Sequence, residues 1–121
     1  ITTSIDRALR VMKTDAIDVM LLHSCDLATL EADDAMESLV KARDAGKIKY
    51  AGYSGDNEAA VFAAKLPDVA VVETSVNYVD QVNIDSLLPV AQANNVGIIA
   101  KRPVANAAWR GSAGRSGIYV N

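Results

Sequence analysis

Apolar positions along the chain switch repeatedly between two spacings. Ile5, Ala8, Leu9 and Met12 fall at i, i+3, i+4 and i+7, the one-sided stripe of an amphipathic helix. The spacing predicts a helix opening at Thr3, with Thr3 and Asp6 placed as a capping-box-like start. The run IDVMLLH, Ile17 to His23, is then short and nearly continuously apolar, the pattern of a parallel strand covered on both faces. Met36, Leu39 and Val40 return to helical spacing ahead of Gly46, which predicts a helix from about Glu31 to Ala45 closed by a left-handed residue. IKYAGYSG reads as a second strand running into a turn at Ser54.

The alternation continues to the end of VGIIA. Ala59, Phe62, Ala63 and Leu66 mark a third helix, with Asp56 or Asn57 as its cap and Pro67 as its stop. VAVVETS is strand-like. Ile84, Leu87, Leu88 and Ala91 mark a fourth helix in which Pro89 is tolerable only near the first turn. Asn94 and Asn95 end it, and Val96 to Ala100 is the fourth strand. Beyond it the composition turns rich in Gly, Ala and Ser, and residues 106–121 read as a flexible tail. GSAGRSG lacks the Gly-Lys-Ser/Thr ending of a Walker loop. Strand and helix alternate with no hairpin signal, which predicts parallel crossovers and an α/β fold. Four strands make either a small open sheet or part of a larger barrel, and periodicity does not choose between them.

Composition narrows the function classes. The chain has 121 residues, half of them apolar, which fits one globular domain over 1–121. A formal charge of −3 argues against a nucleic-acid surface. No apolar run is long enough for a bilayer, and the early charges Asp6, Arg7 and Arg10 interrupt any secretory signal, so the expectation is a cytoplasmic protein with no membrane partner. Cys25 is the sole cysteine, and neither a disulfide nor a metal site is expected. Cys25 and His23 lie two apart on an extended run, as a nucleophilic pair would, but an inert thiol explains Cys25 better. Lys101, Arg102, Arg110 and Arg115 gather late in the chain, where a local cationic cluster suits a small phosphorylated ligand.

Four motifs in order decide between the sheet and the barrel. TDAIDVMLLHS, LVKARDAGKIKYAGYSG, VVETSVNYVD and LLPVAQANNVGIIAKRPVA together resemble the aldo-keto reductases, from their third helix to just past their seventh strand. That resemblance implies a half of a TIM-type (β/α)8 barrel, about four parallel strands alternating with helices. It also implies NADP, with NAD as the alternative, bound at the C-terminal ends of the strands for reduction of an aldehyde or ketone. The family's catalytic set is Asp, Tyr, Lys and His. His23 matches the histidine that orients the substrate carbonyl; the other three lie in family members ahead of the segment this chain matches. Without the Tyr as general acid, this chain alone is expected to be inactive.

The cofactor residues carry over one at a time. Ser54 matches the serine that hydrogen-bonds the nicotinamide carboxamide, and as a bare residue it is equally a turn serine. Gly55 replaces the family's neighbouring Asn. Glu73 stands where the family often has Gln, and a carboxylate accepts from the amide nitrogen without donating to its oxygen. Asn77 matches the Asn of a Tyr-Asn pair and reads as structural. Lys101 stands where many members stack an aromatic on the nicotinamide, so an ammonium would instead meet pyrophosphate or pair with Glu73. Arg102, before Pro103, could offer a fork to phosphate. For Arg110 and Arg115 a solvated basic loop is the better account.

The starting Ile suggests a processed chain or a gene fragment. Open strand edges must be covered, which predicts a homodimer closing two half-barrels, or a larger oligomer or partner chain. The rival reading is a non-catalytic binding or assembly module. A flavodoxin-like domain would explain the alternation but not LLHS, AGKI or AKRP.

Overall fold

The computed structural model describes residues 1–23, 25–32 and 34–105. Helix α1, Thr2–Met12, leads into strand β1, Ile17–His23. Helices α2, Leu27–Glu31, and α3, Asp34–Asp44, precede β2, Ile48–Ser54. Helix α4, Asn57–Ala63, connects to β3, Val71–Ser75. Helices α5, Val82–Ser86, and α6, Leu88–Ala93, complete the path to β4, Gly97–Lys101. The four strands are parallel and lie in the order β1-β2-β3-β4. A sheet in strict chain order lacks the reversal of strand order that defines a flavodoxin-like sheet.

Parity along the strands separates two faces. Leu22, Tyr53 and Val72 share one register row, and with Ala51 they are buried against α3, α4 and their neighbours. Ile5, Leu30, Met36, Leu39, Ala60, Ala63, Leu87 and Ala91 complete that core from the helix side. On the opposite face Val19, Tyr50 and Ile99 are 39, 56 and 44% exposed. The expectation that IDVMLLH is covered on both faces is therefore corrected: helices cover one. The other is apolar because in a barrel it faces inward, where layered side chains fill the lumen. Gly52 shows how tightly one such layer is filled, since an added Cβ would lie 2.3 Å from the Val71 carbonyl oxygen and 2.6 Å from Leu21.

The elements depart from the sequence reading chiefly in the helices. The Thr3–Asp6 capping box does not form; Ile1 is the N-cap and no side chain bonds the first turn. Met12, placed on the apolar stripe, is 54% exposed and only Ile5 of that stripe is fully buried. The expected helix from about Glu31 to Ala45 is found as α3, and a short α2 that was not expected precedes it, capped by Asp26, which accepts from the Thr29 amide. The fourth helix divides at Leu87, with Pro89 in the first turn of α6, where its missing N–H costs nothing. Gly46 closes α3 with φ +74°, as its position predicts. The proposed tail, 106–121, with Trp109, Arg110 and Arg115, lies outside the described residues.

Candidate functional site

All four strands point their C-terminal ends to one side, and the candidate residues gather there. His23, Ser54 and Glu73 occupy one register row across β1, β2 and β3. Being in register on parallel strands, they share the open face, with adjacent strands about 4.8 Å apart. Ile99 completes the row on β4. Lys101 stands on the same face opposite Ser75, and Arg102 follows it in a left-handed conformation with φ 57°. The structure thus brings together all five candidate residues. His23 is exposed and Glu73 half-buried, whereas Ser54 is only 2% exposed. A ligand amide reaches the Ser54 hydroxyl only by displacing what covers it.

The residue that organises this mouth was read from sequence merely as a helix cap. Asp56 does stand at the N-cap of α4, but its side chain makes no bond to that helix. It turns to β3 instead. Oδ1 accepts from the Ser75 amide at 2.8 Å and from the Thr74 hydroxyl at 3.0 Å. Oδ2 faces the Arg102 guanidinium at 3.2 Å and the Lys101 ammonium at 3.4 Å. Burial by itself would raise the Asp56 carboxyl, but the Ser75 amide, the Thr74 hydroxyl and the two cations outweigh it and hold the group at about 2. Lys101 therefore pairs with Asp56, in place of the Glu73 partner considered from sequence. Arg102 also donates to the Ser75 hydroxyl.

Asn83, fully buried on α5, supports the same strand end from behind. Its amide nitrogen donates to Thr74 Oγ1 at 3.0 Å and to the Ser75 carbonyl at 2.9 Å, while its own Oδ1 has no partner among the described residues. Thr74, Ser75 and Asn83 carried no sequence signal beyond VVETS, because their importance lies in contacts across 8 to 27 residues. Asn77, by contrast, is structural as read: its Oδ1 accepts from the Val79 and Asp80 amides in a tight turn.

Gly55 has a steric cause rather than a flexible one. A Cβ there would lie 2.4 Å from the Tyr53 hydroxyl oxygen, so the Asn of the family pattern has no room. Tyr53 is buried and donates its hydroxyl to the Cys25 carbonyl at 2.7 Å, tying β2 to the loop after β1. Burial pushes the Cys25 thiol up, which suits the inert thiol expected. Among the described residues no His, Cys, Asp and Glu group could hold a metal, and no helix is long and apolar enough to cross a membrane.

The sequence profile of the aldo/keto reductase family matches residues 1–120. The chain belongs to the aldo/keto reductase family. Solved structures agree in fold. An aldo-keto reductase from Bacillus halodurans, in its apo form, superposes with a TM-score of 0.78 at 22% identity over 88% of this chain and 37% of that one. One from Klebsiella pneumoniae, in complex with NADP and acetate, gives 0.70 at 23% identity over 86% and 38%. A Pseudomonas aeruginosa chain, provisionally named an aldo-keto reductase, gives 0.70 at 27% identity over 81% and 38%. This aldo/keto reductase chain thus spans under two fifths of each of these proteins. No curated protein matches it. The four parallel strands are a partial TIM-type barrel.

Proposed function

We propose that this chain supplies the substrate-orienting histidine and part of the cofactor cradle of an NADP-dependent carbonyl reductase. The observation that carries the reading is the His23–Ser54–Glu73 row at the C-terminal mouth, with Lys101 and Arg102 beside it. The solved relatives from Klebsiella pneumoniae in complex with NADP and with NADPH support the cofactor class.

The donor set fits such a cofactor. Ser54 has a hydroxyl that both donates and accepts, Glu73 accepts from an amide NH₂, and two cations stand where phosphates would be neutralised. When bound, the nicotinamide supplies hydride. His23, exposed on the open face, holds the oxygen of an aldehyde or ketone by a hydrogen bond. Tyr53, beside the row, is no proton donor, since its hydroxyl is bonded to the Cys25 carbonyl and burial makes it a weaker acid. In this reading turnover uses the Asp, Tyr and Lys of the family's set, supplied by a segment outside residues 1–121. The exposed apolar residues Val19, Tyr50 and Ile99 of the open face favour a second role, in which this half-barrel pairs through its open face and edges, as a homodimer or larger oligomer in the cytoplasm, without catalysing anything itself.

The test is a fluorescence titration of the chain with NADPH and NADH, with Trp109 as the energy donor. Saturable binding that prefers NADPH and weakens in Lys101→Met/Arg102→Met is expected. A flat titration at millimolar cofactor would sink the reductase reading and leave assembly.

A further inference from the structure

We propose that Asp56 is a built-in counter-ion for the Lys101–Arg102 pair: its carboxylate holds the place of a ligand phosphate oxygen, and a phosphate-bearing ligand binds at the mouth only by displacing it. The inference rests on the reading that these two cations meet phosphate.

The division of labour between the two carboxylate oxygens carries the argument. Oδ1 is anchored to β3 by the Ser75 amide and the Thr74 hydroxyl, and neither donor belongs to the cationic segment. Among the described residues Oδ2 meets the two cations alone, Arg102 Nη1 at 3.2 Å and Lys101 Nζ at 3.4 Å. The carboxylate can therefore stay in place through Oδ1 while Oδ2 gives up its partners. Both cation contacts are long for charge-assisted bonds, which run at about 2.7–2.9 Å. A phosphate oxygen at ordinary distance makes a shorter pair with either group. Lys101 and Arg102 are also adjacent, on β4 and just beyond it, so one ligand anion can meet both.

Arg102 is in a left-handed conformation before Pro103, and its guanidinium is bound to Asp56 and the Ser75 hydroxyl. Ser75 retains that hold when Asp56 lets go. The mouth is thus pre-shaped for an anion but partly neutralised. With Glu73 standing in the same mouth, two cations face two carboxylates, and both carboxylates repel any incoming phosphate. The consequence is selectivity by charge: an anion of two or more charges gains enough to displace Oδ2, whereas a single carboxylate or chloride does not.

Inorganic pyrophosphate is the probe, titrated calorimetrically into the 121-residue chain, Asp56→Asn and Lys101→Met/Arg102→Met. The amide of Asp56→Asn keeps an oxygen for Ser75 and Thr74 while removing the charge. Binding about tenfold tighter in Asp56→Asn, with a steeper loss on adding salt, is the expected result. Unchanged or weaker binding in Asp56→Asn, alongside weakened binding in the double variant, would overturn the counter-ion while leaving the phosphate reading intact. If the double variant binds as the parent does, the phosphate reading falls and the inference with it. Should Asp56→Asn fail to fold by circular dichroism, the parent chain still answers: pyrophosphate should move the Asp56 carboxyl ¹³C resonance together with the Lys101 and Arg102 side-chain signals. A shift confined to the cations overturns the proposal.

Discussion

Gly52 and Gly55 are glycines because of what lies beside them, a fact about space rather than backbone freedom. At Gly52 the obstacle is the Val71 backbone oxygen, which cannot step aside without breaking the β2–β3 pairing. Gly52→Ala is expected to cost about 1–3 kcal/mol, read as a lower denaturant midpoint at an unchanged slope. Asp56 has a pH signature. Its group sits at about 2 in the folded chain against an ordinary 3.8, so its contribution is fully present above the ordinary value and lost as pH falls from 3.8 through 2. Roughly 2 kcal/mol of stability should disappear across that window, and Asp56→Asn should flatten it in acid-dependent urea titrations. All five candidates were named from motif order, and the parallel register then sets His23, Ser54 and Glu73 in one row. Asp56 was legible only as a cap, since nothing local says that a cap side chain will turn away from its helix.

Element by element, the strands came through closely and the helix ends did not. Strand β1 was read at Ile17 to His23 and is found there, because its short, nearly continuous apolar run is bounded in the sequence by Thr14 and Asp15 before it and Ser24 after it. Helix ends depend on which side chain reaches which amide. Asp26 adds α2 by capping Thr29, and Leu87 divides α5 from α6 while remaining fully buried. Leu87 packs in the core beneath that junction, so Leu87→Ala should cost about 2–5 kcal/mol by thermal or urea unfolding. Tyr53→Phe is a gentler probe. It removes the bond to the Cys25 carbonyl and should cost about 1 kcal/mol, with faster amide exchange at the loop after β1.

At the scale of the molecule, a parallel sheet with helices on one face and apolar side chains on the other is half of an architecture. Its outer strands, β1 and β4, each pair on one side only among the described residues. Closure by a second copy, or by further strands of a longer chain, would bury Val19, Tyr50 and Ile99 together and leave no edge. Sedimentation of the chain is expected to give twice its mass, and Ile99→Glu to return it to a single copy with its helical signal intact. A monomer with a flat concentration dependence would refute self-closure.

The sequence by itself determined the alternation of elements, the parallel sheet and the family, and it named His23, Ser54 and Glu73 as candidates; only the strand register set those three in one row. The alternation, the sheet, the family and the candidates follow from periodicity and motif order, which are written locally. Tertiary structure alone decided that one sheet face stays open, that Gly55 yields to the Tyr53 ring, and that Lys101 and Arg102 share Asp56 as partner. Each of those depends on side chains distant in the chain meeting at one place. The Asp56–Arg102 contact spans 46 residues, and no spacing rule reaches that far.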